Sequence, residues 1–270
     1  MSFYEKYVQL CGNLKDKPDR ATPYKIDYLK SIIKNGKVYK FLAFNEEDDL
    51  LTEAKLKTLK AEKIWFSFYK TLNDDTEFEI KYNVDKVSKA TGRSADNVHL
   101  LVNFLTEMYD VYSLSYEYQD YMWNIYANNG NGICIEFNVG DYDYLYPVEY
   151  TEKLNIDFDQ MVISGINEID PALSIIPWVI KNPYNITANI DSTKEKEIRM
   201  LYCPYDGGEL NRGIIQENIK EQLGYKGIEK PYSDFNLIIS KVIIGEKCNK
   251  DIADNLKGYF SKNNILWIER

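Results

Sequence analysis

Histidine is nearly missing from this sequence, with one residue, His99, in 270. Imidazole-dependent triads and proton shuttles need that side chain, and no second histidine, cysteine or serine motif accompanies His99, so a surface or packing role is expected for it. Cysteine is scarce too. Cys11, Cys134, Cys203 and Cys248 are widely separated and form no C-x-x-C pair, which leaves too few soft ligands for a zinc site. Cys134 and Cys203 lie in apolar, strand-like runs and read as small buried hydrophobes in a reducing cytoplasm. The sequence lacks G-x-x-x-x-G-K-[ST], G-x-G-x-x-G, G-x-S-x-G and H-E-x-x-H, which removes the main warrants for P-loop, Rossmann, kinase, α/β-hydrolase and zincin chemistry. Long apolar runs are absent as well. Spanning a bilayer takes roughly 18–20 apolar residues, whereas Leu237–Ile244 and Ala172–Ile180 are short or broken by polar residues or proline, so no membrane partner is expected. Met1–Gln9 carries Glu5 and Lys6 in place of an apolar signal core, which predicts no secretory signal. Basic residues are outnumbered, and the net charge of −9 disfavours a nucleic-acid coat while leaving room for a local basic pocket.

What the chain has in quantity is tyrosine, 23 residues, each with a ring to bury and a hydroxyl to satisfy, as at cleft walls and interfaces. Hydrophobic residues at 44% and charged residues at 28% predict a globular protein. No repeat or long linker divides the chain, so residues 1–270 read as one α+β domain with a helical insertion or lid near 155–190. Helical spacing ends at Asn35-Gly36 and leads into a strand at Lys37–Phe44; a helix follows near Thr52–Leu59, then a strand at Lys63–Tyr69. Ser94 caps the best helix, with Val98, Leu101, Val102, Leu105 and Met108 on one side. Further strands are expected at Tyr112–Tyr116, Ile133–Phe137, Leu145–Tyr150, Glu195–Cys203, Leu237–Ile244 and Ile265–Ile268. Helices are expected at Gln119–Asn128, Asn155–Lys181, Asn211–Leu223 and Asn249–Phe260, with a turn at Asp206–Glu209. The absence of regular βαβ alternation favours a mixed sheet core with surrounding helices over a doubly wound fold.

Polar residues inside these runs are the candidate site. In Ile133–Phe137, Glu136 shares a face with Cys134, either solvated or lining a cleft. Glu195, Glu197 and Arg199 alternate against Ile198, Met200 and Tyr202; the charged face can bracket a ligand or protect a sheet edge. Asn73, Asp74 and Glu77 fit an Asx-type turn, a Mg²⁺ carboxylate cluster or hydrogen bonds that fix a cleft. Trp123 and Tyr126 are three apart on a helix, as core packing or as a stacking platform for a base.

Four boxes carry a resemblance: Tyr39-Lys40-Phe41; Ile64-Trp65-Phe66-Ser67 followed by Leu72 to Glu77; Met122-Trp123-Asn124-Ile125-Tyr126-Ala127 with Gly132; and Lys196-Glu197-Ile198-Arg199. In this order they resemble a bacterial family known only as a domain of unknown function, with the wording Y-K-Y, W-F-S and N-D-P-F-E, M-W-x-H-Y-A, and K-E-W-R. The likeness covers about residues 37–260. Two departures stand out: Ile125 occupies the family's histidine position, and Asp75-Thr76 replaces Pro-Phe. The first moves weight toward binding, or toward chemistry that needs no imidazole.

More distantly, Lys40, Ser67 and Glu197 resemble the polar, hydroxyl and glutamate positions on successive strands of ADP-ribosyltransferases. That resemblance implies NAD as the cofactor, a nucleotide cleft drawing on Asn73, Glu77, Trp123, Tyr126, Glu136 and Arg199, and Glu197 as the catalytic carboxylate. It also implies a cytoplasmic transferase or NAD glycohydrolase serving bacterial stress or phage defence. The other implied reading is a noncatalytic module that binds a ligand or protein through tyrosine-rich walls. Convergence of Lys40, Ser67, Glu136 and Glu197 on one sheet system, with the helix at Gln119–Asn128 beside it, is the arrangement that would satisfy their polar groups.

Overall fold

The computed structural model describes residues 1–12, 18–44, 49–72, 80–168, 170–185, 189–204, 224 and 226–270. In chain order its helices are α1 (Phe3–Leu10), α2 (Ala21–Ile32), α3 (Asp49–Lys60), α4 (Val84–Thr91), α5 (Ala95–Thr106), α6 (Asp120–Tyr126), α7 (Phe158–Glu168), α8 (Ala172–Ile175) and α9 (Lys250–Lys262). The strands are β1 (Lys37–Ala43), β2 (Lys63–Ser67), β3 (Asp110–Ser115), β4 (Gly132–Val139), β5 (Leu145–Pro147), β6 (Glu149–Tyr150), β7 (Ile180–Lys181), β8 (Tyr184–Asn185), β9 (Ile190–Asp191), β10 (Glu197–Tyr202), β11 (Gly227–Pro231), β12 (Leu237–Ile244) and β13 (Trp267–Glu269). The class is the expected α+β, with a mixed sheet at its centre.

Among the described residues nine strands form that sheet, in the order β11-β2-β3-β1-β4-β12-β13, with β10 on β3 and β5 on β10. The β12–β13 pair is parallel; the other neighbours are antiparallel. The strands bearing Lys40, Ser67, Glu136 and Glu197 all belong to it. Its topology forks at β3. One edge of β3 is occupied along its whole length by β10, from Glu197 opposite Ser115 to Tyr202 opposite Asp110. The other edge is divided: β1 bridges it at Tyr39 and Ser115, β2 at Ser67 and Val111. Between the two bridges the Ser113 carbonyl accepts a hydrogen bond of 2.9 Å from the Lys40 amine. A side-chain donor thus serves a backbone acceptor that needs a partner when buried.

Side-chain alternation sends the strands' residues to two cores. On one face Val38, Ile64, Phe66, Leu114, Ile135, Phe137, Ile198 and Val242 pack with Leu29 of α2, Leu59 of α3 and Leu256 of α9. On the other, Val111 and Leu201 meet α1, α4, α5, α7 and α8 through Tyr7, Val87, Val98, Val162 and Leu173. A smaller cluster on that second face joins Phe41, Cys134 and Ile243 to Met122 and Trp123 of α6. The covers over the second face are therefore separate, and a cleft lies between them.

Local signals explain most element ends. Ser94 and Asn249 cap α5 and α9 by accepting from the Asn97 N–H and the Asp251 and Ile252 N–H groups. Ser2 and Glu5 form a reciprocal capping box on α1. The Asn155–Lys181 stretch, expected as helix throughout, instead yields α7, α8, a short 3-10 turn carrying Pro177 and then β7, because proline cannot continue a helix. Met161, Val162, Leu173 and Trp178 from this stretch are core residues. The expected turn at Asp206–Glu209 and helix at Asn211–Leu223 lie outside the described residues. Helices α1 and α4 and strand β11 were not foreseen. No described helix is long and apolar enough to cross a membrane.

Candidate functional site

Strands β1, β3 and β10 floor a cleft of about 400 Å³. Met122, Ile125 and Tyr126 of α6 form one wall; Lys181 of β7, Asn185 of β8 and Ile190 of β9 form another, and Leu72 also lines it. Two consequences of alternation build the floor. Arg199 stands opposite Ser113, and Glu197 opposite Ser115, so these four share the face that α6 and the helical layer leave uncovered. Glu195 precedes β10 at the end of a 3-10 turn that Asp191 caps through the Thr193 N–H.

Five charged groups meet here: Lys40, Lys181, Glu195, Glu197 and Arg199. The Arg199 guanidinium forks onto Glu197, with Nε to Oε1 at 2.8 Å and an NH2 contact to Oε2 at 3.2 Å, and its third arm donates to the Trp178 carbonyl at 2.8 Å. Lys181 Nζ lies 2.9 Å from Glu195 Oε2 and 3.5 Å from Glu197 Oε2. The Tyr126 hydroxyl donates to Glu195 Oε1 at 2.8 Å, and the Glu197 N–H donates to the Tyr150 hydroxyl at 3.0 Å. Glu195, Glu197 and Arg199 are each 5% exposed or less.

The two carboxyls are driven apart. Burial opposes charge on Glu197, but Arg199 and then Lys181 outweigh it and hold that carboxyl well below the usual carboxylate range. Burial first, and the neighbouring Glu197 charge second, raise Glu195 against the pull of Lys181. Opposed shifts in adjacent carboxyls separate a proton holder from a permanent anion. Burial lowers the Lys40 amine to about 8, with Glu197 opposing. Lys40, Lys181 and Arg199 outnumber the two carboxyls even when both are ionised, although the chain as a whole is acidic. It can therefore receive a phosphorylated ligand.

The residues expected from the sequence fall in several places. Lys40, Tyr126, Glu197 and Arg199 line the cleft. Ile125, at the position where the resemblance has histidine, lines it as an exposed hydrocarbon. Ser67 sits on β2 between Val111 and Gly227, outside the lining. Trp123 is fully buried, edge-on to Phe41, and donates its indole N–H to the Tyr118 hydroxyl at 3.1 Å. Glu136 is held by Lys37 at 2.5 Å, Lys241 at 3.3 Å and the Ser240 hydroxyl at 2.7 Å, on the flank of the sheet where a bulge between Ile239 and Lys241 turns Ser240 and Lys241 toward it. Asn73 and Glu77, with Asp74, lie outside the described residues. His99 is exposed and meets the Tyr82 hydroxyl at 2.9 Å. Cys134 and Cys203 are buried.

Sequence reasoning missed Lys181, Ser113 and Tyr150. Ser113 follows from pairing Arg199 with its neighbour strand, once that register is known; Lys181 had no signal, because its place depends on the parallel pairing of β7 with β6. Among the described residues no cluster of His, Cys, Asp and Glu could hold a metal ion. Comparison of the chain with protein-family models, with curated proteins and with solved structures finds no match to any of them.

Proposed function

We propose that the cleft binds NAD or a closely related nucleotide and breaks its N-glycosidic bond, as a transferase or glycohydrolase of the ADP-ribosyltransferase kind. The observation that carries this reading is the Glu195–Glu197 pair, one carboxyl raised and one lowered, at the floor of a cleft with surplus cations. Lys40 and Lys181 supply charge for phosphates. As the bond to nicotinamide breaks, its electron pair leaves with the ring nitrogen and positive charge grows on the ribose, where the Glu197 carboxylate stabilises it. Water or an acceptor hydroxyl then bonds to the anomeric carbon, and the proton it sheds goes to ionised Glu195. Bacterial stress response or phage defence, in the cytoplasm, is the setting this chemistry suits.

The test is nicotinamide release from NAD by the purified chain. Glu197→Gln is expected to lower the rate by about 10²–10³, the usual cost of losing one electrostatic stabiliser of a transition state. An inert wild-type protein that also fails to bind NAD in calorimetry would sink the reading.

Three observations favour a second reading, a noncatalytic ligand- or protein-binding module. Ser67 is outside the cleft lining, Ile125 stands where imidazole was expected, and both oxygens of Glu197 are already engaged by Arg199. Saturable NAD binding without nicotinamide release would select this module over the enzyme.

A further inference from the structure

A second cavity of about 330 Å³ is lined in part by Thr193 and Lys196, next in the chain to the cleft residues Glu195 and Glu197, and the reaction proposed above makes no use of it. Its lining comes from distant parts of the chain: Phe3 of α1, Tyr28 of α2, Tyr116 just after β3, Glu149 and Tyr150 of β6, and Lys196 just before β10. The rings are close. Phe3 and Tyr28 have centroids 4.4 Å apart and tilted planes, and Tyr28 is 38% exposed.

The polar groups here are what distinguish the cavity from an ordinary aromatic seam. Glu149 spends Oε2 on the Tyr4 N–H at 2.9 Å, while its Oε1 has no hydrogen bond or ion pair among the described residues. The Lys196 ammonium and the Tyr28 and Tyr116 hydroxyls are likewise without a hydrogen-bond partner among the described residues. Lys196 holds its place at φ +50, a conformation that most side chains avoid. A carboxylate oxygen, an ammonium and two phenols around one hollow of ligand size thus all retain bonding capacity. Unused charges of both signs beside aromatic faces match a ligand that carries both signs itself.

We propose that this cavity binds a small zwitterion, its ammonium end among the rings and Glu149 and its carboxylate end at Lys196 and the tyrosine hydroxyls. The inference is independent of NAD chemistry in the cleft. Calorimetry on the full chain with three probes tests it: glycine betaine, which has both charges, choline, which has only the cation, and propionate, which has only the anion.

Betaine is expected to bind most tightly. Glu149→Gln keeps an acceptor for the Tyr4 N–H, and it is expected to weaken betaine and choline by about tenfold, the scale of one charge-assisted contact. Lys196→Asn, a residue that tolerates positive φ, is expected to weaken betaine and propionate and leave choline unchanged. Unchanged thermal midpoints would verify that both variants fold. The proposal is overturned if betaine binds no better than the single-charge probes, if none of the three binds saturably, or if Glu149→Gln binds betaine as the wild type does.

Discussion

At Glu197 the carboxylate meets Arg199 and Lys181, and its fate in acid differs from that of Glu195 beside it. Because the folded-state pKa of Glu197 is depressed, its contribution to stability is complete above the unfolded value of about 4.3 and is lost as pH falls toward the folded one. Glu195 is raised, so its favourable contribution exists below about 4.3 and is lost as pH rises through its folded pKa. Glu197→Gln leaves two buried cations short of an anion and is expected to cost about 3–5 kcal/mol at pH 6, with a smaller cost at pH 3. Glu195→Gln removes a strained charge, so its stability relative to wild type should rise between pH 4 and pH 7.5. Urea denaturation at these pH values checks both slopes; parallel behaviour of the two variants would show that the carboxyls are not driven apart.

At the scale of elements, the floor of the cleft depends on how closely β4 lies to β1. Gly132 begins β4 opposite Ala43, and a Cβ there would stand 2.1 Å from the Leu42 carbonyl oxygen. Gly132→Ala therefore has to part the strands, and a loss of more than about 2 kcal/mol in urea denaturation is expected, beyond the range of an ordinary surface substitution. Strands β4 and β10 were legible because apolar and polar residues largely alternate along them, and β1 and β12 because β-prone apolar residues dominate short runs. Strand β11 was not: Gly227-Ile228-Glu229-Lys230-Pro231 is charged and ends in proline, the dress of an edge strand, which hides its pairing with β2. Helix α1 carried a readable Ser2–Glu5 capping box, but Phe3–Leu10 is only two turns long and yields a weak periodic signal. Within the site, the face shared by Glu197 and Arg199 followed from spacing alone. What covers that face did not, since Lys181 and Tyr126 arrive from elements whose neighbours are fixed only by tertiary packing.

For the whole molecule, the sheet is the shared partition between two cores, and the same strands serve both. Leu114 and Met200 point into one core while Val111 and Leu201, on the same two strands, point into the other. Neither core can lose its partition without exposing the other, so residues 158–181 should melt with the sheet and not as a separate lid. Leu173, fully buried where α8 meets α7, is a suitable probe: its side chain lies within 2.7 Å of where a Cβ on Gly165 would stand. Leu173→Ala is expected to cost about 2–5 kcal/mol. If the cores are one cooperative unit, the variant shifts tryptophan fluorescence, to which Trp178 of the helical core and Trp123 of α6 contribute together with Trp65 of β2 and Trp267 of β13, by the same amount as far-UV circular dichroism. Two separated transitions, with the fluorescence change preceding loss of sheet signal, would instead make the helical layer a unit that unfolds from an intact sheet. The cleft would then lose its Lys181 wall before its floor.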